Sequence, residues 1–417
     1  MHSTDIAIIG AGAAGLMAAI QAGRNAPGAR IVALDGAAKL GSKILVAGGG
    51  RCNVTHESVS ASDYAGSTPG AIGKVLRHFT VDDTVRFFAE QGVPLKREET
   101  GKLFPVSNRA RTVLDALVAA AQEAGVSLLH PRRVEQLELL DGGFRLSGPW
   151  GSLTTRRVIL ATGGKSLPKS GSDGGGYALA QRMGHTLTPR IFPALVPLLL
   201  PAHHFLRELS GISFDCVLTV TSGTGKRLHS MAGAALCTHF GLSGPAALDV
   251  SRHWLDARAD DPNTALLMSV LPDESPEHLD AVLRELGRTT PLNALSRRLP
   301  DRLARAFVVE AGIEPSLSAS QLTREARRGL VTTLTALRLP IAGDRGYTYA
   351  EVTAGGVPLS EFHLDTMESR VCPGLHLCGE ICDVDGRIGG FNFQWAWASG
   401  ATAGTAAGRA VSASADR

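Results

Sequence analysis

Asp5-Ile6-Ala7-Ile8-Ile9-Gly10-Ala11-Gly12-Ala13-Ala14-Gly15 is the stretch on which the fold turns. Residues 5–9 read as a short strand buried on both faces, because their apolar side chains run on without alternating with polar ones. Glycines follow at once, then an apolar run of helical character to Gln21. A second buried strand, residues 30–35, ends on Asp35. Strand, glycine-rich turn, helix and strand in this order make a βαβ unit. Gly10 permits the tight turn, and Gly12 lets the backbone approach a pyrophosphate. Gly15 and Ala19 let the helix lie close on the sheet. Amides at the helix start, around Ala13 and Ala14, offer their positive dipole end to phosphate, and Asp35 offers a carboxylate to a ribose diol. A merely structural turn would not need the terminal acid as well, so the stretch predicts dinucleotide binding.

The chain holds 48 glycines in 417 residues, against a usual share of roughly 7 per cent. Apolar residues make up 44 per cent, which supplies a core and excludes global disorder. Forty-two Lys and Arg face 39 Asp and Glu, a formal +3, too little to argue for nucleic acid or an anionic membrane as partner. The six cysteines form no C-x-x-C pair, and no metal-ligand spacing occurs, so no metal is expected. A reducing, cytoplasmic setting fits that usage. No basic leader segment and no apolar run of spanning length is present, so neither a signal peptide nor a membrane helix is expected.

Helical patterns cover 79–91 and 107–123, with Ser107 a plausible N-cap. Strand candidates follow at 127–130, 134–140, 143–147 and 157–161. Pro189, Pro193, Pro197 and Pro201 then punctuate a crossing point. Residues 191–340 carry 9 glycines and a balanced 15 Lys and Arg against 15 Asp and Glu. They read as an insert, strand-bearing over 191–256 and helical over 257–340. The interrupted α/β domain comprises 1–190 and 341–417.

Two further motifs bear on the cofactor. Val158-Ile-Leu-Ala161-Thr162-Gly163-Gly164 is a buried strand ending in a small-residue turn, for which a simple NAD enzyme has no particular need. Gly374-Leu-His-Leu-Cys-Gly379-Glu380 precedes Gly389-Gly390-Phe391-Asn392 and an apolar C-terminal helix. A strand ending in Gly-Glu places its carboxylate on the ribityl hydroxyls of FAD, and the following helix turns its positive end to the flavin edge. The three motifs in this order point to FAD. Residues 48–50, three glycines without Cβ atoms, can lie flat on an isoalloxazine and offer amides near N5. Arg51 could pair with a phosphate or an anionic substrate, or stand solvated at a loop edge. The cluster 171–176 lacks a preceding strand, so it is no second nucleotide fingerprint; NAD(P)H would have to dock transiently at the flavin. Cys52 and Cys378 read as small buried hydrophobes rather than redox thiols.

The chain resembles the BaiN-type, HI0933-like family of NAD(P)/FAD-dependent oxidoreductases, which includes aminoacetone-oxidase-like flavoproteins. The resemblance is carried by residues 43–55 (Lys43 to Thr55, with Gly48-Gly49-Gly50-Arg51-Cys52-Asn53), Phe104-Pro105, 171–177, 238–245, 352–357 and 390–396. It implies a Rossmann-like α/β FAD domain of the two-dinucleotide-binding type, discontinuous and similar to that of fumarate reductases. The insert would hold a small β-barrel and a helical part. The implied FAD-binding residues are Gly10, Gly12, Ala13, Ala14, Gly15, Asp35, Lys43, Gly48, Gly49, Gly50, Arg51, Asn53, Val134, Ala161, Thr162, Gly163, Gly379, Glu380, Gly390, Asn392 and Phe393. Arg51 and His239 are the substrate-side candidates, His239 as a proton donor or substrate contact unless local hydrogen bonds satisfy it. The implied activity is hydride transfer between flavin and a small organic substrate or NAD(P)H, as enone reduction or small-amine oxidation. A flavin module acting on RNA or a protein partner is the alternative; a basic insert would favour it, and the insert is neutral in total.

Overall fold

A computed structural model describes residues 2–415. The chain divides into two units, Met1–Pro193 with Glu351–Arg417, and Ala194–Ala350. The first is built on five parallel strands in the order Leu375–Leu377, Gly151–Leu160, His2–Ile9, Ile31–Leu34, Val126–Leu129. Ile6, Ala7 and Ile8 are wholly buried, as an unalternating strand between two helical layers requires. The chain leaves the central strand to one side for Ile31–Leu34, and the strand on its other side is Gly151–Leu160. The sheet order therefore reverses at the ends of these two strands, where Gly10 and Ala161 follow. Open α/β sheets bind ligands at such a switch point.

The helices Ala13–Asn25 and Phe391–Ala415 pack very closely. A Cβ at Gly400, Gly404 or Gly408 would come within 2.4, 2.2 or 2.7 Å of the carbonyl oxygens of Ala14, Ala18 and Ala22. Glycine every fourth residue on one helix thus faces alanine every fourth residue on the other.

The second unit contains a seven-stranded antiparallel sheet in the order Leu337–Leu339, Ala265–Ser269, Ser213–Thr221, Arg227–Thr238, Gly241–Ser243, Leu198–Leu199, Gly343–Asp344. Its two end strands are joined only through residues 340–342, a link that reaches at most about 14 Å. The sheet therefore curls round on itself in the manner of a barrel. The helices Pro276–Glu285, Pro291–Leu295, Asp301–Glu310 and Arg324–Thr335 follow the fifth of its strands in chain order.

Several boundaries differ from the sequence reading. The chain returns to the first unit after Ala350, because Leu337–Leu339 and Gly343–Asp344 belong to the second unit's sheet. Strand Ala265–Ser269 lies in the stretch read as helical, and helix Pro245–Asp260 lies mostly in the stretch read as strand-bearing. Two- and three-residue strands carry no period to read. Ser107 is not the N-cap: Asn108 turns left-handed at φ 52°, Arg109 takes the cap position, and the helix starts at Ala110. Val134 precedes its strand, Gln136–Leu140, rather than opening it.

Candidate functional site

At the switch point the three glycines of the first turn do different work. A Cβ on Gly10, whose φ is +97°, would lie 2.5 Å from the Ala161 oxygen, and one on Gly15 would lie 1.8 Å from the Gly10 oxygen. Both positions are closed by protein backbone. A Cβ on Gly12 would meet nothing within 4 Å. Gly12 is therefore the turn's open position, at the N-cap of helix Ala13–Asn25. Asp35 is aimed by two amides: Ala11 donates to Oδ2 at 2.7 Å and Ala37 to Oδ1 at 2.8 Å. A carboxylate has lone pairs beyond those two for a hydroxyl. Val134 is buried in the loop that reaches Asp35 through the Arg132 amide, 2.6 Å from the Asp35 carbonyl.

The segment Ser42–Gly50 begins as a helix and breaks at Ala47. Gly48, Gly49 and Gly50 follow with φ of +56°, +67° and +85°, a run that side chains resist, and Cys52 repeats the conformation at +61°. Nothing lies within 4 Å of a Cβ on Gly49. Asn53 is buried, and its Oδ1 has no hydrogen-bond partner. Such atoms are rare, and this one asks for a donor the chain does not supply. Arg51 is half-exposed but not free. Its Nη1 lies 2.6 Å from Glu98 Oε1, and its guanidinium sits 4.0 Å over the Phe104 ring. Burial pushes the Cys52 and Cys378 thiols up to about 12, so both stay protonated at neutral pH.

Lys43 and Glu380 meet. Lys43 Nζ donates to Glu380 Oε2 at 2.5 Å and to Ser166 Oγ at 2.6 Å. Glu380 Oε1 accepts from Ser166 Oγ at 2.8 Å and from the Thr353 amide at 3.0 Å. Thr353 Oγ1 in turn accepts the amides of Lys165 and Ser166. Three motif-bearing stretches and residues 165–166 are tied into one charged knot, so Glu380 is held by protein partners on both oxygens. Beside it, Thr162 Oγ1 and Ser172 Oγ are buried without partners. A Cβ on Gly163 would press on Ser172 Oγ at 2.7 Å, and one on Gly176 on Thr162 Oγ1 at 1.7 Å. Ala161 continues the sheet by donating to Ile9 at 2.8 Å.

The last helix supports these loops. Trp395 Nε1 donates to the Gly379 carbonyl at 3.0 Å and Trp397 Nε1 to Val54 at 2.8 Å. Gln394 accepts from Thr55 and Thr84 and donates to Phe79. Asn392 spends its side chain on Gly386, accepting from the amide at 2.8 Å and donating to the carbonyl at 2.9 Å. Phe393 stacks on Trp397 at 5.5 Å. Gly390, at φ +96°, packs on Thr55, whose oxygen a Cβ would approach to 2.6 Å. Asn392 is thus a loop brace. His239 belongs to the second unit, exposed at the turn before Gly241–Ser243, with its ring against Phe240 and its carbonyl accepting from Arg207 at 2.7 Å.

The first unit therefore gathers every candidate except His239. The sequence reading missed Glu98 and Ser166 altogether, and quoted Thr353 without giving it a role. Glu98 and Ser166 come from irregular backbone and Thr353 from a strand of only three residues, Val352–Ala354, where no period or spacing marks a partner.

The family model described as HI0933-like protein Rossmann domain matches residues 4–406. A 3-dehydro-bile acid delta(4,6)-reductase of Clostridium scindens is 36% identical over 406 residues, covering 96% of this chain and 98% of the relative. A ribosomal RNA dihydrouridine synthase of Escherichia coli is 35% identical over 405 residues, covering 96% of each chain. One from Haemophilus influenzae is 32% identical, over 94% of this chain and 95% of its own. Among solved structures, an Escherichia coli quinol fumarate reductase shares the fold with a TM-score of 0.52 at 18% identity, over all of this chain and 72% of that one. By the extent of the family match and the identity of these relatives, the chain belongs to the HI0933-like family.

Proposed function

We propose that the switch-point site holds FAD and that the chain works as an FAD-dependent oxidoreductase. The oxidoreductase class rests on family membership. The cofactor reading rests on one observation above all: of the three turn glycines, only Gly12 looks onto space that no protein atom fills. The orphaned Asn53 Oδ1 and Thr162 Oγ1 fit the same reading, since a polar cofactor would satisfy both. Asp35 would take the ribose hydroxyls, and the amides around Ala13 and Ala14 the pyrophosphate. The left-handed run 48–50 would present successive amides to the flavin ring. Glu380, neutralised by Lys43, would address the ribityl chain through its remaining lone pairs. Arg51, paired to Glu98, and His239 are the candidate substrate-side groups.

Bound there, FAD supplies two-electron chemistry, accepting hydride from NAD(P)H or an organic donor and passing hydride to an acceptor. The relatives' names share a reaction type while differing in substrate. A bile-acid enone and a uracil ring each offer a C=C bond conjugated to a carbonyl, so an activated C=C is the acceptor that family membership supports best. Amine oxidation, the other reaction expected from the resemblance, has no counterpart among these relatives. A small organic molecule is the first reading of the substrate. A uridine base in RNA is the second, favoured by the relatives at 35% and 32% identity. Gly174 opens helix Gly175–Arg182 without a strand before it, so a nicotinamide would dock only transiently. No helix among the described residues is long and apolar enough to cross a membrane. All six cysteines are free and buried, which suits a reducing cytoplasm.

Anaerobic mixing with NADH and NADPH tests the redox reading. The flavin band should bleach with one of them and return in air. Absence of bleaching with either would remove nicotinamide as the donor.

A further inference from the structure

The charge balance of the insert hides a segregation. Residues 191–280 carry five Lys and Arg against ten Asp and Glu, whereas residues 281–338 carry ten arginines, no lysine and five carboxylates. The cationic half is the helical end of the second unit.

Its arginines are brought together. Asp280, on helix Pro276–Glu285, accepts from Arg284 Nε at 2.9 Å and from Arg327 Nε, on helix Arg324–Thr335, at 2.7 Å. Arg288 follows one turn after Arg284, in a connection whose Gly287 and Thr289 carbonyls accept the amides of Ser320 and Ala319. That bond pair draws the entry to helix Arg324–Thr335 alongside. Arg324 and Arg328 stand one turn apart on that helix, both exposed, while Leu330, Val331 and Leu334 form its buried side. Arg288, Arg324 and Arg328 pair with no carboxylate among the described residues. The acids of the cluster are Asp280, already shared by two arginines, and the exposed Glu285 and Glu325.

We propose that this arginine face binds the phosphate backbone of folded RNA. Unneutralised guanidinium groups present planar forks that match phosphate, and their exclusive use over lysine suits that geometry. The only aromatic residue in 281–338 is Phe307, which is fully buried. Residues 281–338 therefore offer no aromatic platform for unpaired bases, nor an aromatic anchor for a lipid surface. Recognition rests on phosphate position, which a double-helical RNA fixes and a loose single strand does not. The inference rests on the RNA reading of the substrate, yet it concerns binding and can be judged apart from catalysis.

The test uses the full chain with its flavin and a labelled ribosomal RNA hairpin, titrated at several salt concentrations. A poly(U) strand and phosphatidylserine vesicles serve as comparison probes. The hairpin should bind more tightly than poly(U), with affinity falling steeply as salt rises. The combined variant Arg288→Gln, Arg324→Gln, Arg328→Gln should weaken hairpin binding by tenfold or more and flatten the logarithmic salt slope by about 3. Its flavin content and melting temperature should match the parent. Equal hairpin binding by variant and parent overturns the proposal, as does absent binding by the parent or a preference for vesicles. If binding is lost as expected but the enzyme leaves uridine in RNA unreduced, the surface stands and the substrate reading alone falls.

Discussion

Gly12 and Gly15 look interchangeable in the motif, and the structure separates them. Gly15 has the Gly10 carbonyl where a Cβ would go, 1.8 Å away, so Gly15→Ala forces the helix off the sheet. The expected cost is about 3 kcal/mol or more, at the upper end of overpacking, read as a lowered denaturation midpoint. Gly12→Ala has room in the protein itself. Freed of flavin it should unfold at an unchanged midpoint, and it should retain FAD roughly tenfold less well, since about 1.4 kcal/mol of crowding at the pyrophosphate suffices for that. Equal stability of the two variants would contradict the division of labour, and so would full FAD affinity in Gly12→Ala. At this scale the sequence was informative where a backbone need dictates the residue type, as at Gly10, Gly15 and Asp35. It was silent where a side chain is answered from distant loops. Glu98 beneath Arg51, and Ser166 and Thr353 around Glu380, follow from no local rule, and the bracing of Gly386 by Asn392 could not be told from a cofactor contact.

Between elements, the decisive contact is that of the first and last helices. Glycines 400, 404 and 408 let the backbone of Phe391–Ala415 settle against Ala14, Ala18 and Ala22 of Ala13–Asn25. The last helix then delivers Trp395 and Trp397 to the carbonyls of Gly379 and Val54, so its seating positions two loops of the candidate site. Gly404→Ala improves helix propensity by nearly 1 kcal/mol but drives a methyl to within 2.2 Å of the Ala18 oxygen. The clash should win, with a net loss of about 1–3 kcal/mol, seen in chemical denaturation together with reduced FAD retention. A variant as stable as the parent would show that the helices can part without cost. The long helices were legible because apolar periodicity repeats several times within each, and the central parallel strands because their apolar residues run on unbroken. The break at Ala47 and the strands of two or three residues in the second unit were not: such strands hold little more than one period of two, too short for a repeat to show, and the break has no period at all.

On the scale of the whole molecule, two units of different character share one chain. One is a glycine-rich α/β body whose sheet reverses order above Gly10 and Ala161. The other is a curled antiparallel sheet followed by helices, acidic through residue 280 and basic from 281 to 338. Total charge, the quantity most easily taken from composition, concealed that division, whereas the distribution of Arg, Asp and Glu along the chain reveals it. FAD binding is the property on which the assigned chemistry depends. Its most direct test is the visible spectrum of the purified protein, followed by heat release and identification of the chromophore. The prediction is about one FAD per chain in the parent protein and a lower FAD content in Gly12→Ala. A chain that purifies without flavin and takes up none from added FAD, or that carries FMN instead, would contradict it.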